Sequence, residues 1–161
     1  MSRLARAVPA LALTGAGALV AVACSGPASG PAVPSPSGAA AGHCRQLAGA
    51  LPQRVNGQER VPASPTSPYT AVWGDPGIAL RCGVDRPELL TPGSEHYNPT
   101  ADAVVVNDVE WLLERREDGY RFTTIGREAF VEVTVPTAYA PEVNALPELA
   151  GPLRRSVPAE R

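Results

Sequence analysis

The chain contains no lysine, and this absence helps to limit its binding partners. All 14 of its basic residues are arginine, and they face 16 acidic residues, so the formal net charge is −2 at pH 7. Loss of Arg3 and Arg6 with an N-terminal signal would lower this balance to −4. A domain of this charge has no electrostatic attraction for a phosphate backbone, which argues against nucleic-acid partners. The high Ala, Pro and Gly content is typical of GC-rich coding, so we expect a GC-rich bacterial source.

Groupings of residues that signal catalysis or metal binding are also lacking. The two histidines, His43 and His96, share no ligand spacing, and the three cysteines contain no C-x-x-C pair. Ser94 precedes His96 but lies in no G-x-S-x-G elbow. We therefore assign no catalytic residue, no metal site and no cofactor. Four glutamates are expected to face water and to serve solubility: Glu110, Glu114, Glu128 and Glu132.

The only long apolar run lies at the N-terminus. Two positive charges within Met1–Arg6 precede an uncharged apolar stretch over 7–23. That order is typical of a signal peptide. The stretch is short for a membrane span and is interrupted by Pro9, Gly15 and Gly17, which favours a signal peptide over residues 1–23 rather than a retained transmembrane helix.

Cys24 directly follows the small residues Ala21-Val22-Ala23, an arrangement that resembles a bacterial lipobox. Lipid, for example palmitate, would then be attached to Cys24 and would hold the protein at the outer face of the cytoplasmic membrane. Lipoboxes most often have leucine where Ala21 stands, so simple secretion is the alternative. An odd cysteine in an exported protein needs an explanation, and acylation of Cys24 supplies one.

The segment after Cys24 has the composition of a linker. Residues 25–42 are small residues and prolines, which can bury little apolar surface. We therefore predict a lipid-anchored tether over 24–42 and a single domain over 43–161, a length typical of one compact domain.

The two remaining cysteines are predicted to form a structural disulfide. Cys44 falls on the apolar stripe of a short helix that also contains Leu47 and Leu51 and that Pro52 closes. Cys82 shares the buried side of a strand with Ile78, Leu80 and Val84. A Cys44–Cys82 bond would fasten this helix to the sheet, whereas a redox pair would be expected to lie closer together in sequence.

Turn residues predict a hairpin and a four-strand meander. A loop over 74–77 sets Trp73 opposite Ile78. Asn107-Asp108 as a turn sets Val106 opposite Val109, and a loop over 116–119 sets Leu113 opposite Phe122 and Glu114 opposite Arg121. The next turn brings Phe122 and Tyr120 opposite Val133 and Val135. A second helical pattern begins at Pro141, with a kink or two short helices expected at Pro147. The predicted fold is α+β: an antiparallel sheet covered on one face by N- and C-terminal helices, with one disulfide.

The longest segment without a strand pattern runs over 85–102 and is the best candidate for a ligand surface. This segment contains Arg86, Glu95, His96 and Tyr97, which we expect to form the ligand surface. Asp75 is explained as a turn residue, and a loop carboxylate that contacts a ligand is the other interpretation.

Several stretches of the sequence together resemble a known family. They are the lipobox-like Cys24, the helix beginning at Cys44, SPYTAVWGDPGIALRCG, VNDVEW, GYRFTTIGREAFVEV and YAPEVNAL. Their order and spacing resemble an actinobacterial lipoprotein family known as domain of unknown function 3515. The chain departs from that family at Asn107-Asp108, where the family commonly has Asn-Gly. The resemblance implies a lipoprotein but no activity, so no catalytic residue can be transferred.

Two functions of different classes follow. The first is a non-catalytic binding or accessory module that takes an unknown envelope protein or a cell-wall component. The second is a cell-wall-directed hydrolase that uses carboxylates such as Asp75 or Glu95 together with His96. A cleft that gathers these three residues would favour the enzyme.

Overall fold

The computed structural model describes residues 30–161, so the predicted signal peptide and Cys24 lie outside the described residues. Two helices and eight strands form the fold, and the strands pair in one antiparallel sheet of order β1-β2-β3-β4-β8-β7-β6-β5. The helices are α1 (Gly38–Ala50) and α2 (Leu146–Ser156). The strands are β1 (Arg54–Val55), β2 (Gln58–Val61), β3 (Thr70–Trp73), β4 (Ile78–Val84), β5 (Ala103–Val106), β6 (Val109–Arg116), β7 (Gly119–Thr124) and β8 (Phe130–Pro136).

The predicted strand registers are confirmed. Trp73 pairs with Ile78, and Leu113 pairs with Phe122. Asn107 and Asp108 have positive φ angles of 47° and 64°, as a two-residue hairpin turn requires. These pairings were accessible from the sequence because they are local and because side chains alternate between the two faces of a strand.

Three strand pairings were not predicted. Strand β4 pairs with β8, through Leu80 with Val133 and Arg81 with Glu132, so the hairpin and the meander form one sheet. A further hairpin, β1 with β2, extends the sheet beyond β3. It turns at Asn56-Gly57, a dipeptide that commonly marks a two-residue hairpin turn.

The strands and helices contribute to one buried cluster. Trp73, Trp111 and Phe122 belong to it together with Leu47 of α1 and Leu149 of α2. The predicted disulfide is confirmed: Cys44 of α1 is bonded to Cys82 of β4, with 5.5 Å between their Cα atoms. Both cysteines are buried, so the bond crosses the core rather than the surface.

Helix α1 differs from its predicted limits, whereas the second helical region follows the prediction. Helix α1 begins at Gly38 rather than at Cys44, so residues 38–42, expected in the tether, are helical. Their sequence, Gly-Ala-Ala-Ala-Gly, looks like a linker because it lacks large side chains, although alanine strongly favours helix. Before α2, a single 3₁₀ turn covers Glu142–Ala145, which agrees with the expectation of two short helical segments near Pro147.

Val84 does not share the core side of β4, contrary to the sequence prediction. The register shifts between Cys82 and Val84, where Gly83 has a φ of 84°. This β-bulge adds a residue, so the alternation of side chains changes phase after Cys82. Val84 then pairs with Phe130 and lines a surface cavity with Arg81 and Glu132.

Among residues 30–161, no helix combines the length and the apolar character needed to cross a bilayer.

Candidate functional site

A cavity of about 580 Å³ lies between the sheet and the 85–102 loop. Strand residues Arg81, Glu114, Arg121, Thr123 and Glu132 form the side that we call its floor. The loop contributes Asp85, Pro87, Glu88, Leu89 and His96, which we call its rim.

Strand alternation places the floor residues on one face. Leu80 and Cys82 are in the core, so Arg81 between them points to the other side of β4. The same argument places Arg121 and Thr123 on that side of β7, because Phe122 between them is in the core. This polar face of the sheet carries the cavity.

Four charged side chains of the floor form a row of alternating sign, which we call the Arg–Glu row: Arg81, Glu132, Arg121 and Glu114. Arg81 Nη1 donates to Glu132 Oε1 at 3.0 Å, and Arg121 Nη1 lies 3.7 Å from Glu132 Oε2. Arg121 also donates Nε and Nη2 to the two carboxylate oxygens of Glu114, at 2.9 and 2.6 Å. Planar guanidinium and carboxylate groups match in this two-bond geometry, which fixes their orientation.

Partial burial makes this row costly to break. The side chains of Glu132 and Glu114 are only 10% and 14% exposed. Hydrogen bonding to Glu114 raises the pKa of Arg121 above its ordinary value, with smaller contributions from the negative charges of Glu114 and Glu132, while burial acts against the rise. Removing either carboxylate would leave a partly buried arginine short of a partner.

The rim is more exposed than the floor. His96 Nε2 lies 3.7 Å from Glu88 Oε2, and both side chains are well exposed. Arg86 stands beside the rim, with its guanidinium carbon 5.3 Å from the ring centre of Phe130 and Nη2 3.9 Å from Glu160.

The structure does not gather the residues that the sequence singled out. His96 lines the cavity, whereas Glu95 does not. Tyr97 lines a separate, smaller cavity of about 270 Å³ with Leu89 and Asn98. Asp75 lies in the β3–β4 turn, at the other end of β4 from Arg86. The seven residues of β4 span about 20 Å, which separates Asp75 from the 85–102 loop.

The floor residues were missed by sequence reasoning. Glu114 and Glu132 were expected to face water, and this expectation was wrong, since both are paired with arginines in the floor. Glu110 and Glu128 are exposed as expected. A signal for half of the row existed, because the predicted register set Glu114 opposite Arg121. The other half needed the β4–β8 pairing.

Within residues 30–161, no three His, Cys, Asp or Glu side chains are placed to hold a metal ion together.

Comparison with known proteins identifies the family and no activity. No curated protein and no solved structure matches the chain. The profile of the family described as "Protein of unknown function (DUF3515)" matches residues 4–161. That match covers most of the signal-like segment, the disulfide and every described strand of the sheet. The chain therefore belongs to the DUF3515 family of proteins of unknown function.

Proposed function

We propose that this protein is an envelope lipoprotein that binds a cell-wall component or an envelope protein without catalysing a reaction. Its support at the N-terminus is the order of charges, apolar run, small residues and Cys24, which is typical of an exported, lipid-anchored protein. Lipid on Cys24 would hold the domain at the outer face of the cytoplasmic membrane. The Cys44–Cys82 bond supports an oxidising compartment, where structural disulfides persist.

We also propose that both helices cover the core side of the sheet and that neither helix covers the polar face, where the cavity lies. The disulfide between α1 and β4 supports this arrangement. So does the burial of Leu47 and Leu149 with the strand residues Trp73 and Phe122. A ligand would then reach the sheet only from the polar face.

The single observation that carries the binding function is the Arg–Glu row in the cavity floor. A general acid or base must be free to exchange a proton with a substrate, whereas Glu114 and Glu132 each accept hydrogen bonds from an arginine of the floor. Fixed donors and acceptors of this kind suit recognition of a polar ligand. A volume of about 580 Å³ lies within the range of small-ligand sites.

The charge of the cavity supports a particular ligand chemistry. Two arginines and four acidic residues line it, a formal excess of two negative charges. Such a cavity disfavours anionic groups and accepts neutral, hydroxyl-bearing or cationic ones. Among wall components, a segment rich in neutral sugars fits better than one rich in phosphate.

Co-sedimentation with isolated peptidoglycan tests the binding function. The mature protein in detergent is expected to sediment with the polymer, and Glu132→Gln should weaken this binding by about tenfold because the floor loses a charged acceptor. Glu117→Gln is the matched control, since Glu117 is exposed in the β6–β7 turn outside the cavity. If peptidoglycan does not retain the protein, cross-linking in intact envelopes tests for a partner protein. The proposal is contradicted if the protein neither sediments with peptidoglycan nor cross-links to a partner protein. It is also contradicted if Glu132→Gln and Glu117→Gln weaken binding equally.

The intact mass of the mature protein tests the anchor. Acylation adds the mass of the lipid at Cys24, and removal of residues 1–23 fixes the start of the chain. An unmodified thiol at Cys24 would refute lipidation and would favour simple secretion instead.

One observation favours the alternative, a cell-wall-directed hydrolase that uses carboxylates and His96. His96 lies at the cavity rim with its Nε2 3.7 Å from Glu88 Oε2. Release of soluble sugar or peptide fragments from peptidoglycan is the assay. Fragment release by the native protein that is lost in both Glu88→Gln and His96→Gln would establish the enzyme and overturn the binding-only function.

A further inference from the structure

The segment before α1 is packed on the domain rather than free of it. We call residues 31–37 the strap. The Nε of Arg81 donates to the carbonyl oxygen of Ala32 at 2.8 Å, and Pro34 is buried. A side chain added at Gly83 would overlap the ring of Pro36, so the strap lies directly against β4 there.

The strap sets the point at which the chain leaves the domain. A Cβ at Gly30 would come within 3.0 Å of the carbonyl oxygen of Ser64, so Gly30 is packed on the loop between β2 and β3. Five residues, 25–29, separate Gly30 from Cys24. Even fully extended, the six steps between them cover about 20 Å at most. If the chain were instead free of the domain from Cys24 up to Gly38, that stretch could span about 50 Å.

From this geometry we propose that the strap holds the domain close to the lipid headgroups, with the β2–β3 loop toward the membrane. The proposal rests on the lipid anchor at Cys24 proposed above. In this arrangement the strap is held on the domain instead of forming part of a flexible tether. The chain toward Cys24 therefore leaves the domain surface at one defined place. The ligand cavity is then kept at a set height above the bilayer.

The chemistry of the loop suits a lipid headgroup surface. Residues 62–68 are Pro, Ala, Ser and Thr and carry no charge. The mature chain has an excess of acidic residues, so most of its surface is repelled by anionic headgroups. An uncharged loop is a part of the surface where this repulsion is least, and the short anchor brings that part closest.

Paramagnetic broadening measures the orientation directly. The mature protein, lipidated at Cys24, is placed in nanodiscs of phosphatidylethanolamine and phosphatidylglycerol that carry a gadolinium-chelate lipid. The amide signals of Ser64 and Thr66 should broaden several-fold more than those of Glu117 and Asp118. The reference pair lies in the β6–β7 turn, near the β3–β4 turn, since Asp118 and Gly77 line the same small cavity. Equal broadening at the two places, or the reverse order, would overturn the proposal.

Release of the strap provides the matched test. Pro36→Gly removes the ring that packs on Gly83 without changing the sheet, so the difference in broadening between the two turns should fall. Pro92→Gly, in the exposed part of the 85–102 loop, should leave it unchanged. A Pro36→Gly variant that keeps the full difference would show that the strap does not set the orientation.

Failure of the anchor and failure of the strap give different results. If the mass of the native protein shows no lipid on Cys24, the anchor proposal fails. The strap is then measured on the mature chain whose Cys24 is coupled to a maleimide lipid in the same nanodiscs. Stronger broadening of Ser64 would support the strap, and equal broadening would refute it.

Discussion

Replacement of both Cys44 and Cys82 by alanine should remove about 4 kcal/mol from the free energy of unfolding. The bond joins α1 to β4 across a sequence separation of 38 residues. In the unfolded chain this cross-link forbids most of the distances that Cys44 and Cys82 could otherwise adopt, and the double variant restores them. The folded state is therefore stabilised mainly through the loss of freedom in the unfolded state.

The magnitude follows from the length of the closed loop. A loop of 38 residues gives about 4 kcal/mol at 25 °C in the chain-entropy model. The cysteines are 0% and 1% exposed, so two missing sulfur atoms also leave a small void, which adds up to about 1 kcal/mol. A domain of this size is stable by about 5 to 15 kcal/mol in total. The loss is thus a large share of its stability.

Urea unfolding followed by tryptophan fluorescence is the assay. Trp73 and Trp111 are both fully buried, so their emission reports loss of the core. The midpoint should fall and the dependence on urea should steepen, because the unfolded chain without its cross-link exposes more surface. Reduced native protein is the control and should unfold near the same midpoint as the double variant.

The reasoning is refuted if the double variant loses less than about 1 kcal/mol. Such a result would mean that the unfolded chain keeps Cys44 and Cys82 close without a bond. If the predicted loss of about 4 kcal/mol appears only in reduced native protein and not in the double variant, it comes instead from the cost of burying two thiols.

Three further changes probe the core, the Arg–Glu row and the sheet edge. Trp73→Phe should lower the free energy of unfolding in urea by about 1 to 3 kcal/mol more than Trp111→Phe does. The reason is that Trp73 Nε1 donates to the Pro52 carbonyl oxygen, whereas the buried Trp111 Nε1 has no partner within residues 30–161. A double-mutant cycle of Glu114→Gln and Arg121→Gln should show a coupling of about 1 to 2 kcal/mol, and a coupling near zero would mean that solvent screens the pair. Val105→Arg, on edge strand β5 where the side chain is 66% exposed, should change stability by less than about 0.5 kcal/mol and should lower aggregation measured by light scattering.

Local information was enough to predict the hairpins. Each register in the meander depends on a turn of a few residues and on which side chains alternate toward the core. Glu114 opposite Arg121 is such a case, and the structure contains both the pairing and the ion pair. The limits of α1 were not predicted, because a run of alanine and glycine has no apolar stripe to mark its first turn.

The candidate site depended on information that is not local. Arg81 meets Glu132 only because β4 pairs with β8, and the two residues are 51 positions apart. A pattern read along one strand says which face is apolar but not which other strand lies beside it. Sequence reasoning therefore assigned the floor glutamates to solvent and placed the site on the loop, where His96 is the one selected residue that lines the cavity.

Gly83 touches both the strap and the cavity wall, and a comparison of its substitution with that of Pro36 separates the two effects. The left-handed backbone at Gly83 forms the bulge that turns Val84 into the cavity wall, and the absence of a side chain leaves room for Pro36. Gly83→Ala should therefore disturb both, since alanine disfavours this backbone and its methyl group would overlap the proline ring. Pro36→Gly should release the strap and leave the Val84 amide and methyl signals of the NMR spectrum unshifted. If Pro36→Gly shifts Val84 as much as Gly83→Ala does, the strap itself holds the bulge in place, and the cavity wall depends on strap packing rather than on the glycine.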